Sequence, residues 1–169
     1  MRKSLWIAAV AVSAIGMGAA AGADIATLEK QLEDARNAAP MTVSPFVVVK
    51  EPAKYFGGYE PRGDAVFRRG DKMHFYAEPK NLTLPKNAQG MYSAAFDVDL
   101  IVTAADGKKL EQPKFMSMDL PSRSRIQDLF LNLEVRLTGA PSGKYNVQFV
   151  IHDKNSPKTA KFGQEITIK

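Results

Sequence analysis

Residues 94–103 alternate between two kinds of side chain. Phe96, Val98, Leu100 and Val102 fall on one side, and Asp97, Asp99 and Thr103 on the other. A β-strand sends successive side chains to opposite faces, so a two-residue period marks a strand with one dry face and one wet face. The same period returns at 129–137, where Leu129, Leu131, Leu133, Val135 and Leu137 alternate with Asn132, Glu134 and Arg136. Tyr145, Val147, Phe149 and Ile151 form another inward row, and Phe162, Ile166 and Ile168 close the chain. About seven such strands, separated by turns, predict a mainly β fold: one sandwich of two antiparallel sheets packed face to face.

Only the segment before Pro40 breaks this pattern with a longer period. Ile25, Leu28, Leu32 and Ala35 recur every three or four residues with charges between them. That spacing predicts a short amphipathic α-helix over 24–39, stopped by Pro40. Short helices are marginal alone, so the reading is a helix docked on the sandwich. The alternative is an arm that contacts a partner or a second copy.

The first 23 residues have the layout of an export signal. Arg2 and Lys3 precede an apolar run over 5–17, and small residues follow up to Ala21-Gly22-Ala23. Small side chains at the last and third-last positions suit a signal peptidase, so the expected cut precedes Asp24, with a cut after Ala21 as the alternative. An uncleaved anchor would need a longer and more strongly apolar run. The expected organisation is therefore a cleavable signal peptide at 1–23, the helix at 24–39 and a sandwich domain at 42–169. The expected compartment is the periplasm, with no membrane-spanning segment after cleavage. The chain has no cysteine, which removes a lipidated N-terminal cysteine, disulfides and a thiol nucleophile together. The formal net charge is +5, of which Arg2 and Lys3 supply two. No basic run follows, so nucleic acid is not an expected partner.

Two loops punctuate the first half. After the β-branched run Phe46-Val47-Val48-Val49, read as a buried strand, residues 51–63 hold prolines, glycines and the aromatics Tyr55, Phe56 and Tyr59. After a strand at 72–79, residues 81–91 form the second loop. Asp106-Gly107 marks a hairpin turn. Residues 121–125 read as a solvated loop.

The stretch Leu137-Thr138-Gly139-Ala140-Pro141-Ser142-Gly143-Lys144-Tyr145 resembles the corner before the penultimate strand of immunoglobulin-like and fibronectin type III-like domains. There Pro141 and Gly143 would shape the turn, and Tyr145 would bond it through its hydroxyl. Phe67-Arg68-Arg69-Gly70-Asp71-Lys72-Met73-His74-Phe75-Tyr76-Ala77-Glu78, together with the hairpin from Tyr145 to Lys158, resembles uncharacterised exported proteins of Gram-negative bacteria. The likeness covers about 46–169, on domain-size grounds. It implies an immunoglobulin-like sandwich and brings no catalytic residues with it.

Candidate chemistries are few. Nucleophilic catalysis wants a Ser, Thr or Cys beside a base, and no Gly-x-Ser-x-Gly elbow is present. Asp97 and Asp99 share a strand face about 7 Å apart, a spacing open to paired carboxylates but ordinary for solvated ones. Met116 and Met118 alternate on one strand, and with His74 and His152 they form the soft-ligand inventory of a copper site. Methionine as core filler is the commoner role. Asn81-Leu82-Thr83 matches a glycosylation acceptor that a bacterial context makes incidental. Tyr55, Phe56 and Tyr59 suit a binding loop, with the alternative that they cover a sandwich edge. The expected function is a non-catalytic periplasmic binding protein without a cofactor. Its partner would be a protein or glycan of the cell envelope, met by these aromatics or at a sheet edge. A copper-binding protein and a carbohydrate- or envelope-binding module are the alternatives.

Overall fold

The computed structural model describes residues 24–169. The predicted signal peptide and its cleavage point lie outside the described residues. Helix α1 spans Ile25–Ala38. Strands β1 (Thr42–Val49), β3 (Met73–Lys80) and β6 (Leu131–Val135) form one sheet in the order β1-β3-β6. The facing sheet contains β2 (Val66–Phe67), β4 (Tyr92–Ala104), β5 (Lys109–Ser122), β7 (Gly143–Asp153) and β8 (Thr159–Ile168), in the order β2-β8-β7-β4-β5. The mainly β, two-sheet fold with a leading helix is the one that the alternation predicts. One pairing departs from it: β2 runs parallel to β8, with Val66 opposite Thr167.

The inward rows named above are the core. Phe96, Val98, Val147, Phe149 and Ile151 are fully buried, as are Leu131 and Leu133 from the opposite sheet. Aromatic rings stitch the sheets together. Phe75 of β3 meets Phe149 of β7 edge-on at 5.6 Å, and Phe46 of β1 meets Phe162 of β8 at 5.2 Å. Offset and edge-on pairs of this kind add about 0.5–1.5 kcal/mol each beyond their buried area.

The run 46–49 has no alternation because both of its faces are covered. Val48 points into the main core, whereas Val49 joins Ala53 and Tyr76 in a second, smaller cluster. That cluster lies on the outer face of the three-stranded sheet, under the loop that follows β1. Asn132 of β6 fastens the loop, accepting from Ala53 N at 2.9 Å and donating to Ala53 O at 2.8 Å.

β5 extends well beyond the short strand expected after the hairpin, reaching Ser122 despite Pro113 and Pro121. It is an edge strand, so one side of its backbone owes nothing to a neighbour and proline is tolerated. At its centre Lys114 has φ 51°, and its N–H leaves the ladder to donate to Asp99 Oδ1 at 2.8 Å. The solvated loop expected at 121–125 is corrected on two counts. Its start belongs to β5, and the Arg125 side chain is only 16% exposed, where it pairs with Glu33 of α1 at 3.1 Å.

Helix α1 begins at Asp24, whose carboxylate accepts from Thr27 N at 3.0 Å. The helix docks by its polar face. Glu33 reaches Arg125, and the carbonyl of Arg36 accepts from the Lys158 ammonium at 3.0 Å. Ile25, Leu28 and Leu32, the apolar stripe expected to pack on the domain, remain half or more exposed. Among the described residues no helix is long and apolar enough to cross a membrane.

The β7–β8 hairpin is a staple. Asp153 is 6% exposed and accepts from Thr83 N, Asn155 N and Ser156 Oγ at 2.7–2.9 Å. Lys158 donates to Asn81 O at 2.9 Å as well as to Arg36 O. One short turn thereby holds the 81–91 loop and the end of the helix together.

Candidate functional site

Residues 55–58 form a tight turn in which Gly58 N donates to Tyr55 O at 3.0 Å. Gly57 sits at φ +72°, a backbone region that side chains with a Cβ avoid. The Tyr55 ring lies directly over Gly58, where an added Cβ would collide with it. Gly57 N donates to the Tyr76 hydroxyl at 2.8 Å, and that hydroxyl in turn donates to Glu78 Oε1 at 2.8 Å. Tyr59 stacks on Tyr76 with centroids 4.2 Å apart, and Phe130 stacks on it at 5.6 Å. Burial, against the weaker opposing effect of the Gly57 N–H, pushes the Tyr76 phenol up to about 12, and the Glu78 bond adds to the rise.

This framework splits the aromatic trio. Tyr59 is a structural residue that covers the outer sheet face. Tyr55 is 68% exposed and Phe56 39% exposed, both on a turn whose backbone is fixed from below. Phe56 also lines a cavity of about 300 Å³. Arg36 of α1, Glu78 and Lys80 of β3, and Arg125 and Leu129 of the segment before β6 are among the residues that also line it. Glu78 is 7% exposed. One of its oxygens is held by Tyr76, and the other lies 3.8 Å from Lys80 Nζ. The cavity thus presents one buried carboxylate, three basic side chains and an aromatic rim. The sequence reading missed these residues, which come from three separate segments. The one available signal was Tyr76-x-Glu78, two polar-tipped side chains sharing the outer face of a strand whose other face is core.

The copper candidates do not converge. Met116 and Met118 pair with Val98 and Phe96, share their inward face and pack against the core. His74 occupies the outer face of the three-stranded sheet, 3.8 Å from Glu134. His152 occupies the outer face of the five-stranded sheet, 2.9 Å from Asp99. Strand alternation puts the imidazoles on opposite outsides of the sandwich with the thioethers between them. Among the described residues, no group of three or more His, Cys, Asp or Glu side chains is arranged to hold a metal ion.

The carboxylate pair is equally committed elsewhere. Asp97 accepts from Ser117 Oγ at 2.6 Å, and this bond, helped by Lys154 and Lys114, holds its carboxyl below the usual range. A general acid needs the opposite shift. Asp99 is taken up by Lys114 N and His152. At the corner, Tyr145 donates its hydroxyl to Pro141 O at 2.8 Å, closing the Pro141–Gly143 turn at the start of β7.

No family model and no curated protein matches the chain. Among solved structures it is similar to the sulfur carrier protein SoxY from Chlorobium limicola f thiosulfatophilum. The two share 9% identity over 86% of this chain and 99% of that chain, at a TM-score of 0.33. A likeness that distant carries no argument about activity.

Proposed function

We propose that this protein is a non-catalytic binding protein of the periplasm that holds an envelope partner, protein or glycan, at the turn formed by Tyr55 and Phe56. The observation that carries this reading is the contrast within one loop. Tyr59, Tyr76, Asn132 and Gly57 fix the backbone, yet the Tyr55 and Phe56 rings stay exposed, and Phe56 lines a cavity. Rings held out by a rigid turn lose little entropy on contact, which is how aromatic anchors earn their share of binding energy. The cavity under Phe56 adds polar recognition through Arg36, Arg125 and Glu78.

The immunoglobulin-like assignment belongs to the same proposal. It is supported by the bond from Tyr145 at the start of the penultimate strand to Pro141, the arrangement called a tyrosine corner in such domains.

Photo-crosslinking tests the reading. A photoreactive residue replaces Tyr55 or Phe56 in one set of cells, and Ser117 on the outer sheet face in another. The reading expects a discrete adduct from positions 55 and 56 and none from 117. Equal labelling at all three positions would remove the turn from consideration.

A further inference from the structure

A second cavity, of about 730 Å³, opens where the β6–β7 corner meets the β4–β5 hairpin. It lies at the opposite end of the three-stranded sheet from the cavity under Phe56. β3 reaches that first cavity at Lys80, whereas the second begins just past Val135, which pairs with the other end of β3 at Met73. Its floor is apolar. Val102, Leu137 and Tyr145 are buried at 4–9% exposure. Leu110 pairs with Val102 across the ladder and so shares the inner face, yet it is 56% exposed. The sandwich interior continues here onto a stretch of hairpin that no facing strand covers.

The rim is basic. Lys108 is closed off by Asp106 at 2.8 Å, and Lys144 by Glu165 at 2.8 Å. Lys109 and Arg136 also line the cavity, both exposed, and neither has an acidic partner within 4.0 Å among the described residues. An apolar floor beside a rim with two cations free of salt bridges suits a hydrocarbon chain ending in an anion. The volume lies inside the roughly 300–1,000 Å³ of small-molecule sites.

We propose that this cavity binds a fatty acid, its chain on Val102, Leu110 and Leu137 and its carboxylate at the rim beside Lys109 and Arg136. A neutral chain would leave the rim charges unanswered. A cationic amphiphile would meet them as repulsion, and a free anion would make no use of Leu110.

The experiment titrates the purified protein with dodecanoate, dodecanol and dodecyltrimethylammonium, each below its micelle concentration, and follows heat and backbone amide shifts. Dodecanoate is expected to bind saturably at one site, with shifts centred on Val102, Leu110 and Leu137. Dodecanol should bind about fivefold more weakly, as two exposed ion pairs would dictate. The double variant Lys109→Glu with Arg136→Glu should lose that advantage of dodecanoate while dodecanol binding holds. Leu110→Glu should abolish binding of both. All three positions are exposed, so the variants should unfold at the wild-type urea midpoint, which the same samples report. The proposal is overturned if dodecanoate fails to saturate, if dodecyltrimethylammonium binds as well as dodecanoate, or if Leu110→Glu binds like wild type.

Discussion

Tyr76 and Glu78 stand two residues apart on the same face of β3, joined by a 2.8 Å bond from the phenolic hydroxyl to Glu78 Oε1. The same hydroxyl accepts from Gly57 N, so one oxygen ties the sheet, the aromatic turn and the wall of the cavity together. Its loss should be felt in all three. Tyr76→Phe keeps the stacked ring but strands the Gly57 N–H and one Glu78 oxygen. The expected cost is about 1–3 kcal/mol in urea unfolding near neutral pH.

The same residue gives a pH signature. Tyr76 titrates near 12 in the folded protein against an ordinary 10.0. The unfolded chain therefore releases this proton first, and the contribution is complete below about pH 10. It is lost as pH rises through about 12. Other groups also titrate there, so the informative quantity is the stability of wild type minus that of Tyr76→Phe at pH 9, 10.5 and 11.5. That difference should shrink as pH rises. A flat difference would mean that Tyr76 is not held neutral by burial.

Tyr55 and Tyr59 should separate cleanly. Tyr59→Ala removes a ring stacked 4.2 Å from Tyr76 and should cost about 2–4 kcal/mol, in the range of large-to-small core changes. Tyr55→Ala removes a ring that is 68% exposed and should stay within about 0.5 kcal/mol of wild type. Thermal and urea unfolding of the two variants side by side decide the point.

Helix α1 hangs on few bonds. Lys158→Met deletes the ammonium that bridges Arg36 O and Asn81 O. Amide exchange over 25–38 should rise by tenfold or more, since a charge-assisted bond is worth about 1.5–3 kcal/mol. The strand amides of β4 and β7 should keep their protection. Unchanged exchange in the helix would show that the Glu33–Arg125 pair alone secures it.

Much of the fold was legible because alternation reports a face directly. Phe96, Val98, Leu100 and Val102 could only be an inner row once Asp97 and Asp99 were outside. The hairpin and corner turns were legible for a similar reason, since Asp106-Gly107 and Pro141–Gly143 carry their own backbone requirements. The partner of the helix was not legible. Ile25, Leu28 and Leu32 announce an apolar stripe, yet Glu33, the Arg36 carbonyl and Lys158 do the docking, and Lys158 lies far along the chain. The cavity was hidden for the same reason. Arg36, Phe56, Glu78 and Arg125 become neighbours only through the β1-β3-β6 sheet and the polar contacts of the helix. The aromatic loop was visible as a cluster, but nothing in the spacing of Tyr55, Phe56 and Tyr59 tells which ring turns inward. The copper candidates show the converse limit. His74, Met116, Met118 and His152 are a plausible ligand set by type alone, and sheet geometry sets them apart.

The corner makes a further check on the architecture. Tyr145→Phe loses only the bond to Pro141 O and should cost about 0.5–1.5 kcal/mol with the fold intact. Circular dichroism and urea unfolding measure both parts of that statement.

The most direct test of the central claim is capture from envelope extract by the wild-type protein beside the double variant Tyr55→Ala with Phe56→Ala. A second control carries Asp97→Asn on the outer face of the five-stranded sheet. A cooperative urea transition in each establishes that all three are folded. The account predicts that wild type and Asp97→Asn retain the same protein or glycan, and that the double variant loses it. Retention of that partner by the double variant at wild-type level would contradict the account.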